Sequence, residues 1–128
     1  MTVEHWAENY VGLPYADADC AALAAKVQRE VFNRVINMPV VRGHNVLALS
    51  EQIISSQAEV AEPIEQPHEG CAVLMRGRGR LNHIGVFTCL NGTAYVLHAM
   101  RSAKQTVLHK VSDLPKQGLT LEGYYRWI

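Results

Sequence analysis

The chain has 128 residues, with 12 Lys+Arg against 12 Asp+Glu, so its formal net charge is zero. That balance gives no reason to expect a nucleic-acid partner or an anionic membrane surface. With 48% hydrophobic and 19% charged residues, the composition is globular, and the length suits one domain over 1–128 whose core needs no disulfide staples.

No apolar run approaches the ~18 residues of a membrane span. The opening stretch "MTVEHWAENYVGLPY" has no basic segment followed by an apolar one, so synthesis in the cytoplasm without a signal peptide is expected. The three cysteines are odd in number and widely spaced, which does not suit a disulfide framework, and no CxxC suggests a structural zinc site.

The first element in chain order is a helix starting near Cys20. Cys20, Leu23, Ala24, Val27 and Val31 recur at the spacing of one helical face. Asp17 and Asp19 both suit the N-cap, and Pro39 forbids continuation of the helix. A second helical stretch is expected over 46–57, with Leu49 and Ile53 inward. The segment "AEPIEQPHEG" (61–70) reads as a polar connection.

After Gly70 the period becomes strand-like. Strands are expected at "CAVLM" (71–75), "HIGVFTCL" (83–90), "TAYVLHAM" (93–100), "TVLHKV" (106–111) and "EGYYRWI" (122–128). "RGRGR" (76–80) reads as a solvated turn. Helices first and consecutive antiparallel strands after them imply an α+β class, with N-terminal helices packed on a central sheet of four to five strands.

Asn91-Gly92 between two such runs is the strongest short-range hairpin signal. A two-residue loop there sets Leu90 opposite Thr93 and Cys89 opposite Ala94. Continued down the ladder, that register sets Gly85 opposite His98. His83 and His98 then share a face as diagonal neighbours, roughly 7–8 Å apart at the backbone, and Gly85 has no side chain to separate them.

Cys20 falls in the first turn of its helix, where the dipole favours negative charge. Asp17 and Asp19 oppose a thiolate, so an imidazole partner is needed, and a second polar group must fix that imidazole's tautomer. Cys20, His83 and His98 can fill these roles in that order. The remaining histidines, His5, His44, His68 and His109, read as surface residues. Cys71 and Cys89 read as small core residues on strands, and Trp6, Tyr124 and Trp127 as core or rim aromatics.

"GLPY" (12–15), "DC" (19–20), "GCAVLMR" (70–76), "HIGVF" (83–87) and "LHA" (97–99), in this order, resemble the NlpC/P60 superfamily of papain-like cysteine peptidases. "NMP" after the first helix and "GYYR" (123–126) are similar to the phage-tail branch of that family. The resemblance implies a papain-like fold, with Cys20 as nucleophile, His83 as general base and then acid, and His98 as the residue that orients His83. It places Tyr15 near the oxyanion and substrate site, with Asp19 as a further contact for substrate.

The implied reaction is amide hydrolysis in peptidoglycan stem peptides, typically next to D-glutamate, through an acyl-enzyme. No metal or organic cofactor is implied. Phage or prophage tail proteins, and a place in the virion tail, are the implied partners and location. The family's Ser-Gly after the cysteine is Ala21-Ala22 here, and Cys71 stands at the aspartate of its "GD" strand.

Three other readings remain open on the residues alone. One is a structural tail-assembly protein with little or no activity. Another is a zinc site of Cys20, His83, His98 and a water. The third is an acyltransferase using the same thioester.

Overall fold

The computed structural model describes residues 5–35, 61–77 and 80–127. Its principal feature is a six-stranded sheet: β1 (Ala61–Ile64), β2 (Ala72–Gly77), β3 (Arg80–Leu90), β4 (Thr93–Met100), β5 (Gln105–Lys110) and β6 (Leu119–Trp127). The spatial order is β1-β6-β2-β3-β4-β5, and every neighbouring pair is antiparallel. Among the described residues, α1 (Cys20–Glu30) is the one α-helix, with 3-10 segments at Trp6–Tyr10 and Val111–Gln117. None of these is long and apolar enough to cross a membrane.

This architecture corrects the expected α+β, papain-like arrangement. The described residues are β-rich, with one 11-residue α-helix among them beside a six-stranded antiparallel sheet. Two local features account for the difference. Part of the segment read as a polar connection, 61–64, is strand β1, which pairs with the end of β6. Its Pro63 is compatible with a strand because β1 lies at the sheet edge, where a missing N–H breaks no inner ladder. The first helix also stops at Glu30, well short of Pro39, and Asn33 just beyond takes a left-handed φ of 54°. The helix expected over 46–57 lies outside the described residues.

The sheet carries apolar side chains on both faces. On one face α1 packs Cys20, Leu23, Ala24 and Val27 against Leu74, Ile84, Val86, Leu97 and Ala99. On the other, Val73, Met75, Phe87 and Val96 pack with Leu114 of the second 3-10 segment. β2 is covered on both sides, so its sequence reads as an uninterrupted apolar run.

Gly70 ties three of these elements together. Its carbonyl accepts from Gln28 Nε2 on α1 and from Trp127 Nε1 on β6, each at 2.8 Å. With φ at 81° and the Phe32 ring where a Cβ would stand, this position needs glycine. Both lone pairs of a buried carbonyl are thereby satisfied, and both side-chain donors are held across long sequence separations.

Candidate active site

Asp19 is the N-cap of α1. Its Oδ1 accepts from Ala22 N–H at 2.9 Å, which resolves the choice between the two aspartates and puts Cys20 at the first helical position. At that position backbone N–H groups have no intrahelical acceptor. The Cys20 sulfur is instead met by the N–H groups of Ile84, Ala21 and Cys20 itself.

The Ile84 contact locates the thiol on the sheet. The β3–β4 ladder runs from Leu90↔Thr93 and Cys89↔Ala94 to Val86↔Leu97, in the register expected of the Asn91-Gly92 turn. Asn91 and Gly92 both have positive φ, 51° and 78°, as a type I′ turn requires. Beyond Val86↔Leu97 the ladder ends, although β3 reaches back to Arg80 and β4 continues to Met100. The Cys20 sulfur lies at this opening, against the residue that follows His83.

His83 and His98 meet as their placement across Gly85 requires. His83 Nε2 and His98 Nδ1 are 2.7 Å apart, with the rings nearly perpendicular. A Cβ on Gly85 would stand 3.2 Å from the His98 Cβ and 3.0 Å from the Leu97 carbonyl oxygen. A bulge also precedes His83. Met75 pairs with His83 but Arg76 pairs with Leu81, so Asn82 is left over in β3. A bulge bends the strand and re-aims the side chain beside it.

The helix does not pack on the sheet face that carries the histidines. The helix face packs on Ile84, Val86 and Leu97, whereas His83 and His98 have the opposite strand parity. The thiol therefore meets the sheet at the Ile84 N–H, at the opening between β3 and β4, and not across the face that carries the imidazoles.

Tyr15 is brought to the same place by the "GLPY" segment. Gly12 N–H donates to Thr106 O, Thr106 N–H to Leu13 O, and Tyr15 N–H to Lys104 O, at 2.8–2.9 Å. The segment thus lies along the start of β5. Burial pushes the Tyr15 phenol up to about 12, with the Cys20 and Asp19 charges acting in the same direction.

The local electrostatics favour neutral groups. Burial pushes the Cys20 thiol up to about 12; the Ile84 N–H acts against that shift and the Asp19 charge adds to it. Burial lowers His83 to about 4. It lowers His98 to about 2, with the neighbouring His83 and His109 adding to the effect. Burial thus favours the neutral thiol and the neutral imidazole over their charged forms. His83 and His98 direct the nitrogens that face each other into a hydrogen bond, so those atoms are not arranged as two ligands of one metal ion.

The chain matches no protein-family model, no curated protein and no solved structure. The roles of these residues therefore rest on their geometry and on the motif resemblance.

Three residues differ from expectation. His109 is half-buried, and its Nδ1 lies 3.0 Å from His98 Nε2, so it extends the histidine pair to a chain of three. His5 is also no free surface residue. Its Nδ1 accepts from Ala7 N–H at 3.1 Å, which leaves the ring's proton on Nε2 to donate to Thr88 Oγ1. Thr88 in turn donates to Glu69, whose carboxylate also accepts from Trp6 Nε1 and Cys89 N–H. Cys71 is buried as expected, just ahead of β2, but Cys89 is exposed because it sits one residue from the end of β3, past the packed part of the sheet. His68 is exposed as expected, and His44 lies outside the described residues.

Proposed function

We propose that the protein is a cysteine hydrolase that cleaves amide bonds through an acyl-enzyme, with Cys20 as nucleophile, His83 as base and acid, and His98 as the orienting residue. The observation that carries this reading is the 2.7 Å bond between His83 Nε2 and His98 Nδ1, one residue along β3 from the Ile84 N–H that meets the helix-initial Cys20. The bond occupies the outer nitrogen of His83. Nδ1, nearer the main chain where Ile84 meets the sulfur, is the nitrogen left to take the thiol proton.

In the first step the Cys20 proton passes to His83 Nδ1 as sulfur attacks the substrate carbonyl carbon. The oxyanion is met by the Cys20 N–H at the helix start, with Tyr15 alongside. The C–N bond then breaks as His83 protonates the departing amine, and water hydrolyses the thioester with His83 again as base. The motif resemblance supports peptidoglycan stem peptides as substrate, next to D-glutamate, and a phage or prophage tail as the setting. Ala21-Ala22 supplies no hydroxyl after the cysteine, so Asp19 is the polar group left there to meet a substrate amine.

One observation favours a second reading, a structural tail-assembly protein without activity. Cys20 is 1% exposed, and its burial opposes the thiolate. Digestion of purified muropeptides separates the two. The hydrolase reading expects cleavage that Cys20→Ala abolishes while the circular dichroism spectrum is unchanged. No cleavage by the wild-type chain, or equal cleavage by both, removes it.

A further inference from the structure

The hydrolase reading uses two of the three histidines. His109 lies on β5, where Val96 pairs with His109 and His98 with Val107, so His98 and His109 are diagonal neighbours on one face. The resulting contacts run His83 Nε2 to His98 Nδ1 at 2.7 Å and His98 Nε2 to His109 Nδ1 at 3.0 Å.

A neutral imidazole carries one N–H and one bare nitrogen. His98 uses both of its nitrogens in these bonds, so it donates one bond and accepts the other. The two bonds must therefore run in the same direction. Only the direction in which His83 donates to His98, and His98 to His109, leaves His83 Nδ1 bare to accept a proton from Cys20.

We propose that His83, His98 and His109 are a proton relay, in which His109 holds the proton that Cys20 releases. The proposal rests on the Cys20–His83–His98 reading above. Its proton balance closes. The Cys20 S–H proton passes to His83 Nδ1, the His83 Nε2 proton to His98 Nδ1, and the His98 Nε2 proton to His109 Nδ1. Cys20 is then a thiolate, His83 and His98 are neutral, and His109 is an imidazolium with both nitrogens protonated. When the amine departs, His83 Nδ1 gives it a proton and the other transfers reverse, restoring the first arrangement.

Burial sets the direction of this charge movement. His98 is fully buried between two other imidazoles, the worst of the three places for a positive charge, whereas His109 is half-buried at the end of the chain. The relay moves the cation away from the buried rings. It leaves a neutral His83, still bonded to His98 and correctly oriented, beside the thiolate.

The test is alkylation of Cys20 by iodoacetamide at neutral pH, resolved by peptide mass spectrometry, which requires thiol deprotonation but no peptide substrate. Exposed Cys89 is the internal control. His109→Gln keeps a hydrogen-bonding group but cannot hold a proton, and His109→Leu removes both capacities. Both variants are expected to slow Cys20 alkylation by about tenfold, as for one unit of thiol acidity, with Cys89 unchanged. Wild-type alkylation in His109→Gln would show that His109 only orients His98, and overturns the relay.

Nitrogen-15 spectra of the wild-type imidazoles supply a second measurement that needs no variant to fold. They are expected to show His83 and His98 protonated on Nε2, and the reverse tautomers overturn the relay. Muropeptide cleavage distinguishes the two claims. Normal cleavage with an inert His109→Gln substitution sinks the relay alone, while slowed alkylation without any cleavage sinks the hydrolase and leaves the relay.

Discussion

Gly85→Ala tests the geometry that holds the histidines together. The added Cβ would stand 2.5 Å from Val96 Cγ1, 3.0 Å from the Leu97 carbonyl oxygen and 3.2 Å from His98 Cβ. Val96 is fully buried and β-branched, so its methyl has no alternative position at low cost, and the carbonyl belongs to the β4 backbone. The strands must move apart. Overpacking of this kind costs about 1–3 kcal/mol, offset by roughly 0.5–1 kcal/mol from the lower entropy of an unfolded alanine. The net expectation is a loss of about 1–2 kcal/mol, or roughly 4–8 °C in a chain of this size. Urea unfolding should show a lower midpoint with an unchanged slope. The same displacement moves His98 Nδ1 away from His83 Nε2, so the nitrogen-15 signature of their bond should weaken as well. An alanine variant as stable as wild type, with the imidazole signals unmoved, would refute the argument that this close approach places the pair.

Acid should destabilise the protein earlier than its carboxylates require. His83 and His98 have folded values lowered to about 4 and about 2 from an ordinary 6.5. The unfolded chain therefore binds protons more readily, and the stability these neutral rings contribute is present above 6.5 and lost as pH falls toward about 4 for His83 and about 2 for His98. Between pH 7 and 5 the loss is about 3 kcal/mol for the two rings, with half-buried His83 discounted; urea midpoints that match at the two pH values would contradict it. Asp19→Ala should cost about 1 kcal/mol through loss of the Ala22 cap, read as a lower thermal midpoint, while Asp19→Asn should retain the cap. Because Asp19→Asn also removes a charge that raises the thiol, it should alkylate Cys20 faster than wild type, and an unchanged rate would deny Asp19 that influence.

What the sequence disclosed depended on the range of the signal. The β3–β4 register was legible because Asn91-Gly92 fixes a two-residue turn, and alternation from that point placed His83 near His98 across Gly85. The β4–β5 register was not. Its connection, 101–104, has no such dipeptide, and its one positive φ among these residues is at Lys104, 60°. Without that register His109 is only a histidine in an alternating run, so its place behind His98 could not be read. β1 was hidden for the opposite reason. Its four residues "AEPI" include a glutamate and a proline, and they form a strand only because the apolar end of β6 offers an unpaired edge.

The electrostatics of Cys20 followed the same division. A helix start argued for a reactive thiol, and Asp19 at the cap argued against it, both from neighbours in sequence. Burial, the largest influence on the thiol, comes from strands more than fifty residues away and opposes the thiolate. The helix terminus therefore does not activate this cysteine by itself. On the proposed reading its proton must be accepted by a group that the sheet delivers, and that group is His83, which precedes Ile84 on β3 and has two further imidazoles bonded behind it.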